Sequence, residues 1–399
     1  MSIFVKRYNL IMQKIFEDTE TAFTLMTDAE LDRAYFLFKM IKSEPLVRIG
    51  TAITNFALKA HLPVEQLIRA SVFDHFCGGV TEEDCLPVIE KMYVKNVHAI
   101  LDYSVEGKEE EEQFNLALEK TLQNINFAKE KQSIPFAVFK PTGFGKLSLY
   151  QKKSEGKTLN SQERAEWDKV KLRYDTVCKA AYDNDVPLLI DAEESWMQDA
   201  ADDLIETMME KYNIEKAIVL NTLQLYRWDR LDYLKALHKR AMNKGFVVGL
   251  KLVRGAYMEK ERERAEKKGY PSPICKDKQA TDDNFDAAVA YMMNHEKMTL
   301  YVGSHNELSN YKVLQLIEEK GISKNDQHVW FGQLYGMSAH ISFNLAAEGY
   351  NVSKYMPYGA VRDVMPYLIR RAEENTSVAG QTNRELSLLK KERNRRKKL

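Results

Sequence analysis

Cysteine is scarce in this chain of 399 residues: four thiols, Cys77, Cys85, Cys178 and Cys275, form no CxxC pair and no zinc-like spacing. That excludes a disulfide-framed secreted domain and leads us to expect small buried thiols in a reducing compartment. Proline and glycine are also few, at 10 and 18 residues, which removes collagen-like and low-complexity classes. No apolar run approaches the ~18 residues of a membrane span. Net charge is missing as well: 58 basic side chains balance 58 acidic ones, without the basic excess of a dedicated nucleic-acid binder. The opening MSIFVKRYNLIMQKIFEDTETAF has too short an apolar stretch, and acid too early, for a signal peptide or a clear transit peptide. A cytoplasmic protein that binds no nucleic acid is the expectation.

Familiar catalytic signatures are absent too. No GxGxxG follows a strand-like run, and GFGKLS (143–148) lacks the Walker spacing. HEKM (295–298) is not HExxH, the eight histidines show no metal spacing, and no GxSxG elbow occurs. No metal site is therefore expected.

What the chain does contain is apolar material, 44% of it with 10% aromatic, arranged in a regular alternation. Eight short β-rich runs stand at 97–105, 134–142, 186–194, 216–224, 246–257, 298–306, 328–336 and 351–359. Between them lie amphipathic stretches such as DAADDLIETMMEKYN and RLDYLKALHKRAMNKG, the second closed by a helix-stopping glycine. Alternation with crossovers this long predicts parallel strands under helices. Eight units fit a (β/α)8 TIM-type barrel, with a doubly wound sheet as the alternative. Residues 1–93 read instead as an N-terminal helical arm, 94–380 as the catalytic barrel and 381–399 as a basic C-terminal tail. EGKEEEEQ (106–113) reads as the solvated first turn of a helix. KKERNRRKKL (390–399) has seven basic residues and one acidic, leaving 51 basic and 57 acidic in the body. We expect it to be a mobile tail and a candidate contact for anionic lipid at the inner face of a membrane.

In a barrel, functional side chains gather at the carboxyl ends of the strands. The second run ends at Lys140, the third at Asp191 with Glu193 and Glu194, and the fourth at Gln224. The fifth leads into Lys251, Arg254, Gly255 and Tyr257, the sixth into His305 and Asn306, the seventh carries Gln333 and the eighth Tyr355. A lone polar strand end is usually a cap or loop anchor, but eight converging on one mouth favour a site. Beyond the eighth run, in YLIRRAEEN, Tyr367, Arg370, Arg371 and Glu374 have offsets 0, 3, 4 and 7, one face of a helix. Paired guanidiniums suit bidentate capture of a carboxylate, and a carboxylate one turn on could hold an ammonium. An exposed Glu/Arg face would give the same spacing. The residues alone therefore reach a barrel enzyme with an amino-acid-like ligand.

With FAVFKPTG, LIDAEES, KLVRGAYMEKE, KQATDDNFDAA, GSHNEL, FGQLYGM and YMPYGAVRDVMPYLIRRAEEN in this order, the chain resembles the proline dehydrogenase family from about 134 to 375. The resemblance implies a (β/α)8 barrel with a final helix over its mouth. It also implies FAD-dependent oxidation of L-proline to Δ1-pyrroline-5-carboxylate by hydride transfer to flavin N5, with electrons passed to a membrane quinone. Carried over by motif, Arg370 and Arg371 clamp the substrate carboxylate with Lys140 as a third cation, and Glu374 faces the amine. Tyr355 packs on the proline ring, Leu334 and Tyr367 line the pocket, and Asp191 anchors Lys140 and Tyr355. The flavin falls to Asp191, Ala192, Gln224, Lys251, Val253, Gly255, Ala256, Tyr257, Thr281, His305 and Asn306. Hydroxyproline oxidation on the same scaffold and a non-catalytic amino-acid-binding protein are the alternatives.

Overall fold

A computed structural model describes residues 15–43, 65–104 and 109–398 except 378, with isolated positions at 45, 47, 49, 50 and 52. The side chains at 67, 70 and 372–380 lie outside that description. All eight β-rich runs contain a strand: β1 Val97–Tyr103, β2 Ala137–Phe139, β3 Leu188–Ile190, β4 Val219–Gln224, β5 Val248–Val253, β6 Met298–Gly303, β7 Val329–Leu334 and β8 Val352–Tyr358. They form one sheet in the order β1-β8-β7-β6-β5-β4-β3-β2, and a parallel bridge pairs Ile100 with Phe136 beside β2. This is a nearly closed parallel barrel, and the doubly wound alternative falls away.

Helices of eight residues or more, in chain order, are α1 Asp28–Ile41, α2 Glu82–Tyr93, α3 Glu111–Glu130, α4 Leu147–Ser154, α5 Ser161–Asp183, α6 Ser195–Tyr212 and α7 Arg230–Lys244. After them come α8 Met258–Lys268, α9 Lys278–Met293, α10 Glu307–Glu319, α11 Ala339–Ala347, α12 Met365–Ser377 and α13 Ala379–Arg396. Local chemistry sets their starts. Thr27 with Glu30, Thr81 with Asp84 and Asn160 with Glu163 make complete capping boxes at α1, α2 and α5. The glycine expected to stop α7 does so, with Gly245 at φ +79°.

By the density of its contacts the chain divides into two compact units. One comprises residues 100–304 and 312–330; the other comprises 1–99, 305–311 and 331–399. In the first, β3, β4 and β5 pair in register, bringing Thr222 opposite Lys251 and Gln224 opposite Val253. In the second, β7 and β8 set Leu334 beside Tyr355. The second unit also has its own core. Leu31, Phe38 and Ile41 of α1 join Phe73 and Phe76, Leu368 of α12, and Leu388 and Leu389 of α13.

That core corrects the reading of the basic terminus. Residues 390–396 are not a mobile tail but the end of a helix, Ala379–Arg396, in which Leu388 and Leu389 are 1% exposed. Its cations are largely engaged within the unit: Lys391 with Glu17, Arg393 with Asp32, Arg395 with Glu20, and Arg396 with Asp28 and Glu392. Of the acidic run, 106–108 lie outside the described residues, and Glu111 opens α3 while accepting from Arg173 and Lys169. All four cysteines are buried and free, as expected.

Candidate functional site

In the unit containing 100–304, cations and carboxylates at successive strand ends are paired. Lys140, just past β2, donates to both carboxylate oxygens of Asp102 on β1, at 2.7 and 2.8 Å. Asp102 is 3% exposed and also accepts from the Ser104 hydroxyl. Strand-end reading missed Asp102, although an acid in the apolar run HAILDY was the available signal. Asp191, past β3, is held by its backbone N–H on the Phe139 carbonyl and forms an ion pair with Lys251 of β5. The Lys251 side chain is only 7% exposed, so its charge sits where the local dielectric is low.

The loops after β4 and β5 are laced together. Leu225 donates to Val253 O at 2.8 Å and Tyr226 to Arg254 O at 2.7 Å. Gly255 has φ +133°, and a Cβ there would stand 2.5 Å from the Tyr226 ring, so the position tolerates no side chain. Ala256 and Tyr257 follow, leading into α8. Gln224 is buried and its amide donates to Glu193 O at 2.6 Å; Ala192 lies between Asp191 and Glu193 on that loop. Glu193 in turn accepts from Thr142 N at 2.8 Å and Thr142 Oγ1 at 2.6 Å. Thr281 is buried in the first turn of α9, which Asp277 caps. Arg254 is fixed by Asp282 Oδ1 at 2.8 Å and Ser304 Oγ at 2.9 Å, with its guanidinium 4.6 Å above the Phe285 ring.

This donor set fits the polar groups of a flavin. It offers a buried ammonium, Lys251, and a buried carboxamide, Gln224, beside a loop where Gly255 leaves no room for a side chain. Among the described residues no group of three or more histidine, cysteine, aspartate or glutamate side chains could hold a metal ion.

The other unit carries the guanidinium pair. On α12, Tyr367 and Arg371 are 5% and 8% exposed, and the Arg371 guanidinium lies 5.2 Å from the Tyr367 ring centroid, an i,i+4 stack. Arg370 is half-buried beside them. Glu374 is on the same helix, but its side chain lies outside the described residues. Tyr355, 8% exposed, and Leu334 are neighbours in register. His305 is bound by Ser338 Oγ at 2.9 Å and by the Leu334 N–H at 3.4 Å. Asn306 accepts from Ser309 N at 3.1 Å, at the start of α10.

The proline dehydrogenase family model matches residues 85–384. The carbapenem antibiotics biosynthesis protein CarD of Pectobacterium carotovorum subsp. carotovorum is 35% identical over 352 residues, covering 88% of this chain and 91% of that protein. Mitochondrial proline dehydrogenase 2 of Arabidopsis thaliana is 30% identical over 377 residues, covering 84% of this chain and 79% of its own. Among solved structures, proline utilization A of Bdellovibrio bacteriovorus, inactivated by N-propargylglycine, superposes with a TM-score of 0.68 at 21% identity. That alignment covers 95% of this chain, which spans 39% of the larger protein.

Proposed function

The chain belongs to the proline dehydrogenase family, and from that membership we propose that it oxidises L-proline to Δ1-pyrroline-5-carboxylate with FAD, passing the electrons to a membrane quinone. The observation that carries the reading is the adjacent guanidinium pair on α12, with Arg371 buried against Tyr367. Each charge-assisted contact from these guanidiniums to a substrate carboxylate would contribute about 1.5–3 kcal/mol. Tyr355 would offer the apolar face on which a pyrrolidine ring can rest, and the family resemblance assigns Lys140, which Asp102 orients, as a further cation. Bound FAD would supply the acceptor for hydride from C5 of proline, while the neutral ring nitrogen's lone pair forms the C=N bond and its proton is lost. Lys251, held by Asp191, would oppose the negative charge gained when flavin is reduced.

The test is anaerobic addition of proline to the FAD-loaded protein, followed by a soluble quinone analogue. Bleaching of the flavin and its return on adding quinone are expected. A flavin that proline leaves oxidised, or a protein that binds no flavin, overturns the reading. Faster turnover of trans-4-hydroxyproline than of proline would replace the substrate and leave the chemistry in place.

A further inference from the structure

Helix α13, basic by composition, turns acid inward. Thr382, Glu385 and Glu392 are buried along one face with Leu388 and Leu389. A carboxylate 2% exposed, as Glu385 is, requires strong donors. It has one in the backbone N–H of Ser338, which donates to Oε1 at 2.5 Å. Ser338 stands in the left-handed region, φ +50° and ψ +44°, a conformation that a serine keeps only when its neighbours hold it there.

From the opposite charge, Lys354 of β8 grips the same turn. Its buried ammonium donates to Met337 O at 2.5 Å and reaches Leu334 O at 3.5 Å. The turn between β7 and α11 is thus held by a cation on its carbonyls and an anion on its N–H. Its hydroxyl, Ser338 Oγ, lies 2.9 Å from His305 Nδ1, while the Leu334 N–H points at His305 Nε2. A ring nitrogen that receives an N–H is unprotonated. The neutral imidazole therefore carries its proton on Nδ1 and donates it to Ser338 Oγ.

We propose that Glu385 is a positioning residue for the cofactor: by fixing Ser338 it sets the tautomer and orientation of His305. The inference rests on the reading of His305 as a flavin contact. Glu385 lies one position beyond the span matched by the family model, so the match does not extend to it.

The test uses the full chain labelled with 15N-histidine, with and without FAD, and two substitutions. Glu385→Gln keeps the shape and removes the charge; Ser338→Gly accepts the left-handed backbone and removes only the hydroxyl. Arg393→Ala, which breaks an ion pair elsewhere on α13, controls for disturbance of the helix. In the parent protein the His305 imidazole, identified by its loss in His305→Gln, should show the Nδ1–H form. Both substitutions should mix its tautomers and weaken FAD binding roughly tenfold, by analogy with the loss of second-layer partners at other ligand sites. Arg393→Ala should change neither. Unchanged tautomer and FAD affinity within about twofold in both variants would overturn the proposal. Should the parent chain bind no FAD, the functional reading falls on that result, and the tautomer in the cofactor-free protein still decides whether Glu385 and Ser338 position His305.

Discussion

Replacing Lys354 with methionine should flatten the dependence of stability on pH. The ammonium is fully buried, and burial pushes its pKa down to about 7 from 10.5, with the charge of Glu385 opposing the shift only in part. Below about pH 7 folded and unfolded chains both hold the proton. Between there and 10.5 the unfolded chain holds a proton that the folded one has released, so stability rises with pH across that window. The full shift corresponds to about 5 kcal/mol, and about 2 kcal/mol of it falls between pH 7 and pH 9. Denaturant unfolding of both proteins at these two pH values, under identical cofactor loading, isolates the effect, because every other titrating group is common to the pair. Methionine also leaves the Met337 and Leu334 carbonyls without the lysine donor, at about 1–3 kcal/mol. The absolute stability can therefore move either way, and the slope is the quantity to compare. Parallel slopes in the two proteins would refute the reasoning.

Four further outcomes are expected. Arg371→Met should lower kcat/KM for proline by roughly 10- to 150-fold, the equivalent of one charge-assisted contact, while flavin absorbance stays with the purified protein. Normal kinetics would remove the clamp. Asp102→Asn should raise KM for proline several-fold by releasing Lys140, with FAD affinity unchanged; an effect on FAD alone would reassign the pair. Gly255→Ala should cost roughly 2–4 kcal/mol in thermal or denaturant unfolding, since it combines an unfavourable φ with a clash on Tyr226. Cys85, buried and with burial raising its thiol to about 12, should resist alkylation at pH 8 in the folded protein and react once it is unfolded.

The barrel was legible because its strands are short, apolar and evenly separated by amphipathic stretches. The runs overshoot the strands at their carboxyl ends: 134–142 contains only Ala137–Phe139, and 246–257 only Val248–Val253. There the chain turns: Pro141–Gly143 forms a 3-10 helix, and Leu225 and Tyr226 form a turn whose N–H groups donate to Val253 O and Arg254 O. Residue types at strand ends were readable; their partners were not. Lys251 and Asp191 are 60 positions apart and Lys140 and Asp102 are 38 apart, and which acid meets which cation depends on strand order and register. The basic terminus misled because average composition hides a stripe: Leu388 and Leu389 are buried in a strongly charged helix, on one face with Thr382, Glu385 and Glu392. The same averaging concealed Glu385, whose partner is a backbone N–H on a distant turn.

The pairing of α13 with the first described segments also bears on how the chain is made. Arg393 reaches Asp32 across 361 positions, and Arg396 reaches the Phe23 carbonyl across 373. During synthesis, Phe23 and the buried face of α1 must therefore wait until Leu388 and Leu389, far downstream, have been made and can cover them. Until then they present exposed apolar surface on a nascent chain, a natural place for a chaperone to hold it. Closure of α13 would then follow assembly of the β–α repeats rather than precede it.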